Sequence, residues 1–433
     1  MTRSSALPAS PSPADHSDTE HVQLVLLGGD IGVYAIARAF HEAFGTHATV
    51  ITRSVAGPVA DSSILQARGL GAEAGEAELL EAALETGRLA TAQRARTGGP
   101  KPFLLANADW LIALIVRNRE ALSEHYLLPV LPEDLLEQVA DKAEFARLCA
   151  EVEMTTPTTV IVDFTDGALP AVPEVEHLGW PLVAKPSRSS AYAHVKFPGK
   201  RKVFEIAARA QLEDLVRRLH EAGFRDRFVL QEMIPGDDTA MRSVTAYVDQ
   251  RGAVTLMGGA HVLLEEHTPG ALGNPAAMIT QDMPELFAQA ERFLTHVGYR
   301  GYANFDVKVD PRDGQPKFFE VNPRVGRNNV YMTAAGANIA LPAVADHLQQ
   351  RSIEQIRPTR EILYSIIPRT LLWRYVTDPS LRSRAKAIAK RATVHPLLYR
   401  PEGLKRRAYV AAAMANQVKK FAQHYRSPSA DGF

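Results

Sequence analysis

The chain has 433 residues, 46% hydrophobic and 23% charged, with 49 Lys and Arg against 49 Asp and Glu. Single cores rarely grow past roughly 250 to 300 residues, so two or three domains with ample core are expected. The zero formal charge and ordinary composition exclude a disordered chain and argue against a nucleic-acid binder.

Residues 1–20, rich in Ser, Pro, Ala and Asp, lack an apolar signal-peptide core and read as a flexible leader. No apolar run reaches the roughly 20 residues of a membrane span, which points to a cytoplasmic protein. Residues 21–135 open with VQLVLLGGD, then the helical IGVYAIARAFHEAF and the strand ATVITR, a β-turn-α-β start. Gly28, Gly29 and Gly32 do not fit G-x-G-x-x-G, and close backbone packing alone accounts for them. PFLLANAD leads into a helix with Asp109 near its start, where an N-cap is favoured over a ligand.

Residues 136–235 form the next unit. Cys149, the single cysteine, sits in the helical pattern FARLCAEVEM and reads as a buried structural thiol. PSRSSAYAHVKFPGKRKVF (186–204) is polar and basic, either a mobile loop whose backbone N–H groups cradle phosphate oxygens or an ordinary surface hairpin.

Residues 236–350 hold YRGYANFDVKVDPRDGQPKFFEVNPR (299–324). Alternation puts Tyr302, Asn304, Asp306 and Lys308 on one face of a strand and Phe318, Glu320 and Asn322 on one face of the next. With Asp313-Gly314 at the turn, Asp306 comes opposite Glu320. Opposed carboxylates destabilise a sheet unless a cation holds them, and oxygen donors point to magnesium or manganese. Asn322 completes the candidate metal set. Arg324, two residues on, points the same way and can neutralise phosphoryl oxygens. Arg327, Asn328, Asn329 and Arg242 are further candidates for a substrate carboxylate.

Residues 351–433 are expected to be a helical region. From 357 onward it holds 16 Lys and Arg against 4 Asp and Glu, a balance of +12 that the rest offsets with −12. Such a surface attracts anionic ligands. SLRSRAKAIAKRATV (380–394) fits either a basic amphipathic helix lying on anionic lipid or a helix packed on the core with a solvated basic face.

Asp306, Glu320, Asn322 and Arg324 in this order resemble the metal and phosphate hairpin of the ATP-grasp superfamily. Lys142 in VADKAEFARLCAEVEM and Lys185 in WPLVAKPS stand where that superfamily places two phosphate-binding lysines. QEMIPGDD (231–238) is similar to the segment linking its two ATP-holding lobes. The resemblance runs from about residue 140 to about residue 345. It implies an α/β fold (α+β lobes), with a Rossmann-like N-terminal lobe (21–135), a small ATP-grasp lobe (136–235), a large one (236–350) and the basic C-terminal extension.

It also implies ATP and Mg2+ as cofactors, Mn2+ being the alternative. Glu232 would receive the adenine amino group, the backbone at Met233 and Ile234 would read the ring edge, and Asp238, with Asp237 as the alternative, would hold the ribose. Lys142 and Lys185 would contact the phosphates, with Lys185, Arg324 and Arg242 as the catalytic set and Asp30 as a possible substrate contact in the first lobe. Some ATP-grasp ligases carry an arginine where this chain has Asn304, and Arg242 or Arg324 would then compensate. The implied chemistry is phosphoryl transfer to a carboxylate, giving an acyl phosphate that an amine attacks.

LLGGDIGVYAIARAFHEAFG, VRNREALSEHY, LYSIIPRTLLWRYVTDPSLR and HPLLYRPEGLKRRAYV resemble bacterial D-aspartate ligases over most of the chain. Those enzymes join the β-carboxylate of D-aspartate to a lysine side-chain amine of a peptidoglycan precursor. The expected partners are therefore ATP, a small amino-acid carboxylate and a UDP-linked muramyl peptide, with peripheral contact at the inner membrane face as a further expectation. Another ATP-grasp amino-acid or dipeptide ligase, or an ATP-binding regulator that keeps the fold, are the alternatives.

Overall fold

The computed structural model describes residues 22–188, 191–192, 195–268 and 270–429. The expected leader lies outside them, as do Ser189, Ser190, Ala193 and His194 of the expected phosphate loop. The first lobe is a parallel sheet of β1 (Leu24–Leu27), β2 (Ala48–Thr52), β3 (Leu65–Gly69) and β4 (Phe103–Ala106) in the order 3-2-1-4. After β1 the chain turns at Gly28, φ +111°, and the Asp30 carboxylate accepts from the Val33 N–H to start the helix Ile31–Phe44. That helix then buries nine of its residues.

A smaller antiparallel sheet follows, β5 (Thr159–Asp163), β6 (Leu182–Pro186), β7 (Phe204–Ile206) and β8 (Arg227–Glu232), ordered 5-8-6-7. Its core is separate from the other two, built from Phe164, Phe204, Phe224 and Phe228 with Leu212, Leu215 and Leu219 of the helix Arg209–Glu221. A lobe with its own core can move as a unit.

The large sheet has seven strands, β9 (Met241–Val248), β10 (Val254–Glu265), β11 (Pro275–Thr280), β12 (Gly301–Val309), β13 (Pro316–Asn322), β14 (Leu363–Ser365) and β15 (Thr393–Val394), in the order 13-12-9-10-11-14-15. β14 and β15 correct the expectation of a purely helical C-terminal region: it extends the large sheet. Strands of three and two residues are too short to leave a period in the sequence.

The same region grips the first lobe. Glu402 accepts from the Tyr34 hydroxyl at 2.8 Å, Ser62 Oγ at 2.6 Å and the Ser63 N–H at 2.9 Å. In the helix Pro379–Arg391, Ala385, Ile388 and Ala389 are buried against the core. Its apolar face is thus occupied, leaving charge and not an insertable stripe for any surface it meets. No helix among the described residues is long and apolar enough to cross a membrane.

Candidate active site

The hairpin of β12 and β13 pairs Asn304 with Asn322 and Asp306 with Glu320. Its turn holds Gly314 at φ +74°, and Gly314 N–H donates to the Asp310 carbonyl at 2.8 Å. A bulge just before Glu320 breaks the expected alternation: Val307 pairs with Phe318, so Phe319 is the extra residue. Phe318 is therefore not on the Glu320 face. It packs edge-on against Phe305 in the core at 5.7 Å between centroids, while Lys185 Nζ lies 5.7 Å from the centre of the Phe319 ring.

Two lysines converge on Glu320 because one buried carboxylate ties their segments together. Asp141 caps the helix Lys142–Glu151, accepting from the Ala143 and Glu144 N–H groups, and also accepts from Ser187 Oγ at 2.6 Å. Ser187 follows Lys185 by two residues, and its carbonyl accepts from the Lys142 N–H at 3.2 Å. Lys142 Nζ then reaches Glu320 at 3.4 Å.

The electrostatics are uneven across the hairpin. Burial, and then the charge of Glu320, push the Asp306 carboxyl up to about 7, against the pull of Arg324 and Asn322. Burial also opposes charge on Glu320, but Lys142, Lys185 and Lys202 outweigh it and hold its carboxyl below the usual range. Burial and the neighbouring Lys142 push Lys185 down to about 8. Three lysines facing one carboxylate leave positive charge for a polyanion such as a triphosphate. Lys202 was missed in the sequence; its signal was the basic stretch GKRKVF.

Asn322 donates from Nδ2 to Asp306 Oδ2 at 2.9 Å and accepts at Oδ1 from Arg324 Nη2 at 3.1 Å. Arg324 Nε also donates to Asp109 Oδ1 at 2.7 Å. This corrects the N-cap expectation: Ala108 occupies the cap position, and Asp109 anchors Arg324 to the first lobe. Asn304 is buried, accepting from Ser243 Oγ and Thr245 Oγ1 and donating to Asp306 Oδ1 at 3.3 Å. Asp306, Glu320 and Asn322 offer an all-oxygen donor set with opposed carboxylates, which fits a hard divalent cation.

Arg242 does not join them. Its register partner is Val307, whereas Asp306 pairs with Ser243, so strand alternation turns Arg242 to the opposite face of the sheet. There Nη1 donates to the carbonyls of Thr239 and Met241 at 2.8 Å each, and burial lowers its pKa to about 10. It cannot compensate for Asn304; Arg324 is the arginine at the carboxylates.

In the linker after β8 the Glu232 carboxylate accepts from the Thr158 N–H at 2.9 Å and Thr158 Oγ1 at 3.0 Å, with Arg312 at 3.1 Å. Its side chain therefore fastens the linker, beside half-buried Met233 and buried Ile234. Asp237 accepts from the Thr239 N–H and hydroxyl. Asp238 Oδ2 accepts from the Glu265 N–H at 2.9 Å and lies 2.9 Å from His267 Nε2, while Oδ1 is buried without a partner among the described residues. Glu265 adjoins both sites: burial, with Asp238 and Asp306, pushes its carboxyl up to about 8.

Past the hairpin, Arg327 Nη1 donates to Glu266 Oε1 at 2.8 Å, and Nε lies 3.6 Å from Asp30 Oδ2. Asn328 and Asn329 turn inward instead. Asn328 meets Met278 Sδ, and Asn329 donates to the carbonyls of Gly32 and Gly326, and both are buried. A Cβ on Gly32 would lie 1.9 Å from Asn107 Oδ1 and 3.0 Å from Arg327 Cα, so packing requires that glycine. Cys149 is fully buried and burial raises its thiol pKa, as a structural cysteine requires.

The family Carbamoyl-phosphate synthase L chain, ATP binding domain, matches residues 240–345. Over 411 residues the chain is 29% identical to a D-aspartate ligase of Enterococcus faecium, covering 93% of this chain and 96% of that protein. Among solved structures it is similar to an L-amino acid ligase from Bacillus licheniformis, with a TM-score of 0.53, 18% identity, and 81% and 80% of the two chains covered. It is likewise similar to the biotin carboxylase domain of the Hydrogenobacter thermophilus 2-oxoglutarate carboxylase, solved with MgADP, at a TM-score of 0.53 and 17% identity over 79% and 74%. At these identities the solved structures share the fold.

Proposed function

From a chain that belongs to the ATP-grasp superfamily and is an ATP-dependent ligase forming C–N bonds, we propose that it joins the β-carboxylate of D-aspartate to the lysine side-chain amine of a UDP-linked peptidoglycan precursor. The observation that carries the reading is the register pairing Asp306 with Glu320, between the lysines on one side and Arg324 on the other. Similarity to D-aspartate ligase along nearly the whole chain supports the substrate pair.

ATP lies between the small and large lobes in this proposal, with its phosphates against Lys142, Lys185 and Lys202. Asp306, Glu320 and Asn322 would hold Mg2+, which when bound neutralises phosphate charge. Arg324 then faces the oxygens that gain charge as the phosphoryl group leaves ADP for the substrate carboxylate. Attack of the amine on the acyl phosphate expels inorganic phosphate and leaves the amide. Orientation and charge stabilisation supply the rate, so no nucleophilic side chain is required. The basic C-terminal region, with Lys386, Lys390 and Arg391 exposed, would draw an anionic precursor in the cytoplasm.

The test is magnesium-dependent ADP release with a panel of D- and L-amino acids, each with and without UDP-linked muramyl pentapeptide. Release with D-aspartate plus the lysine-containing precursor is the expected result. Release with another pair would keep the phosphoryl chemistry and discard these substrates.

A further inference from the structure

The C-terminal strand β14 brings one residue onto the reacting face of the large sheet. Tyr364 pairs with Met278 on β11, Met278 pairs with Val262 on β10, and Ala260, two residues before Val262, pairs with Ser243, the partner of Asp306. Side chains opposite one another share a face, so Tyr364 points to the side that carries Asp306. The residue is 0% exposed, and its hydroxyl has no hydrogen-bond partner among the described residues. Buried hydroxyls are nearly always paired, so this one is free to take a partner from outside the protein, water or ligand.

The charges around that hydroxyl are Arg327, Glu266 and Asp30. Glu266, 3% exposed, accepts from Arg327 Nη1 at one oxygen and from Gln417 Nε2 of the C-terminal helix Leu404–His424 at the other, 3.0 Å away. Arg327 is thereby fixed by a carboxylate that is itself fixed, while Nη2 makes no hydrogen bond among the described residues. Asp30, at the start of the helix Ile31–Phe44, closes the far side. A rigid guanidinium, an orphan hydroxyl and a facing carboxylate complement a carboxylate and an ammonium borne on one carbon.

We propose that Arg327 and Tyr364 form a head-group subsite for the second carboxylate of a dicarboxylic amino acid, with Asp30 receiving its ammonium and the reacting carboxylate directed to Arg324. The inference rests on the ligase reading above, and it makes the C-terminal region, through Tyr364 and Gln417, a determinant of which acid is accepted.

The test compares the wild-type enzyme with Tyr364→Phe, using D-aspartate, β-alanine and ATP as varied substrates. β-Alanine keeps the reacting carboxylate and the ammonium of aspartate and lacks only the second carboxylate. Tyr364→Phe should raise KM for D-aspartate about tenfold, the size of a hydrogen bond to a charged group. It should leave kcat, KM for ATP and the use of β-alanine unchanged. Thermal stability should hold or rise, because the oxygen removed has no partner. An unchanged KM for D-aspartate, or equal losses for D-aspartate and β-alanine, would overturn the subsite. A wild-type enzyme that turns over no dicarboxylic amino acid would overturn the substrate reading itself, before any variant is compared.

Discussion

On one face of the seven-stranded sheet Asp306, Glu320 and Asn322 stand by the lysines, and Tyr364 lies on the same face further along the sheet; on the other, Phe305, Val307 and Phe318 pack on the helix Pro284–His296, and Arg242 lies beside His261. Both faces bury charge, but they treat it differently. Arg242 is satisfied by two backbone carbonyls, and His261 Nε2 lies 2.7 Å from the Thr239 carbonyl. Asp306, by contrast, faces Glu320 and makes no ion pair among the described residues, and the Tyr364 hydroxyl has no hydrogen-bond partner there. Burial alone therefore does not mark a site; burial that the protein leaves uncompensated does.

The strongest way to break this contrast is Glu320→Gln, which keeps shape and removes charge on the reacting face. ADP release should fall roughly 10³-fold, as loss of a metal-binding carboxylate implies, while the thermal melt stays in place. Undiminished turnover would remove Glu320 from the metal set.

On the opposite face the expected effect is on stability. Burial lowers the His261 pKa to about 4, so between pH 6.5 and 4 the unfolded chain binds a proton that the folded one refuses. Stability contributed by the neutral ring is present above pH 6.5 and lost as pH falls towards 4, at most about 3 kcal/mol. Urea unfolding of wild type and His261→Gln at pH 7 and pH 4.5 should show a shallower acid loss in the variant. Parallel losses would refute the assignment.

Asp109→Asn sits between the two cases, since it removes the carboxylate that orients Arg324 without touching the metal set. Asp109 is more than half exposed, so a loss of roughly fivefold in kcat/KM is expected, about 1 kcal/mol. A loss as large as that of Glu320→Gln would make Asp109 part of the reacting centre. The smallest effect belongs to Arg242→Met, predicted to leave kcat within about twofold because the residue faces away from the carboxylates. A collapse of activity there would reverse the placement of the two faces.

The hairpin was legible because its information is local. Period two and an Asp-Gly turn bring Asp306 to Glu320 without reference to the rest of the chain, and only the bulge at Phe319 escaped, since an extra residue leaves no mark in composition. Arg242 misled for a related reason: a lone arginine at the start of a strand carries no sign of which face its partner strand will assign. Glu266 and Tyr364 were not found because each gains its meaning from a partner far away in the chain, whereas Lys202 lay in a basic stretch that did not single it out from its neighbours.

By itself the sequence determined the β-turn-α-β opening, the carboxylate hairpin with Asn322 and Arg324 behind it, and the order of the lysines. Alternation, turn chemistry and capping act over a few residues, so they are written where they act. Tertiary structure alone decided that Asp141 and Ser187 lock Lys142 beside Lys185, that Asp109 holds Arg324, and that β14 extends the sheet and carries Tyr364 to the reacting face. These depend on strand order and on contacts between segments up to hundreds of residues apart, which no local pattern encodes.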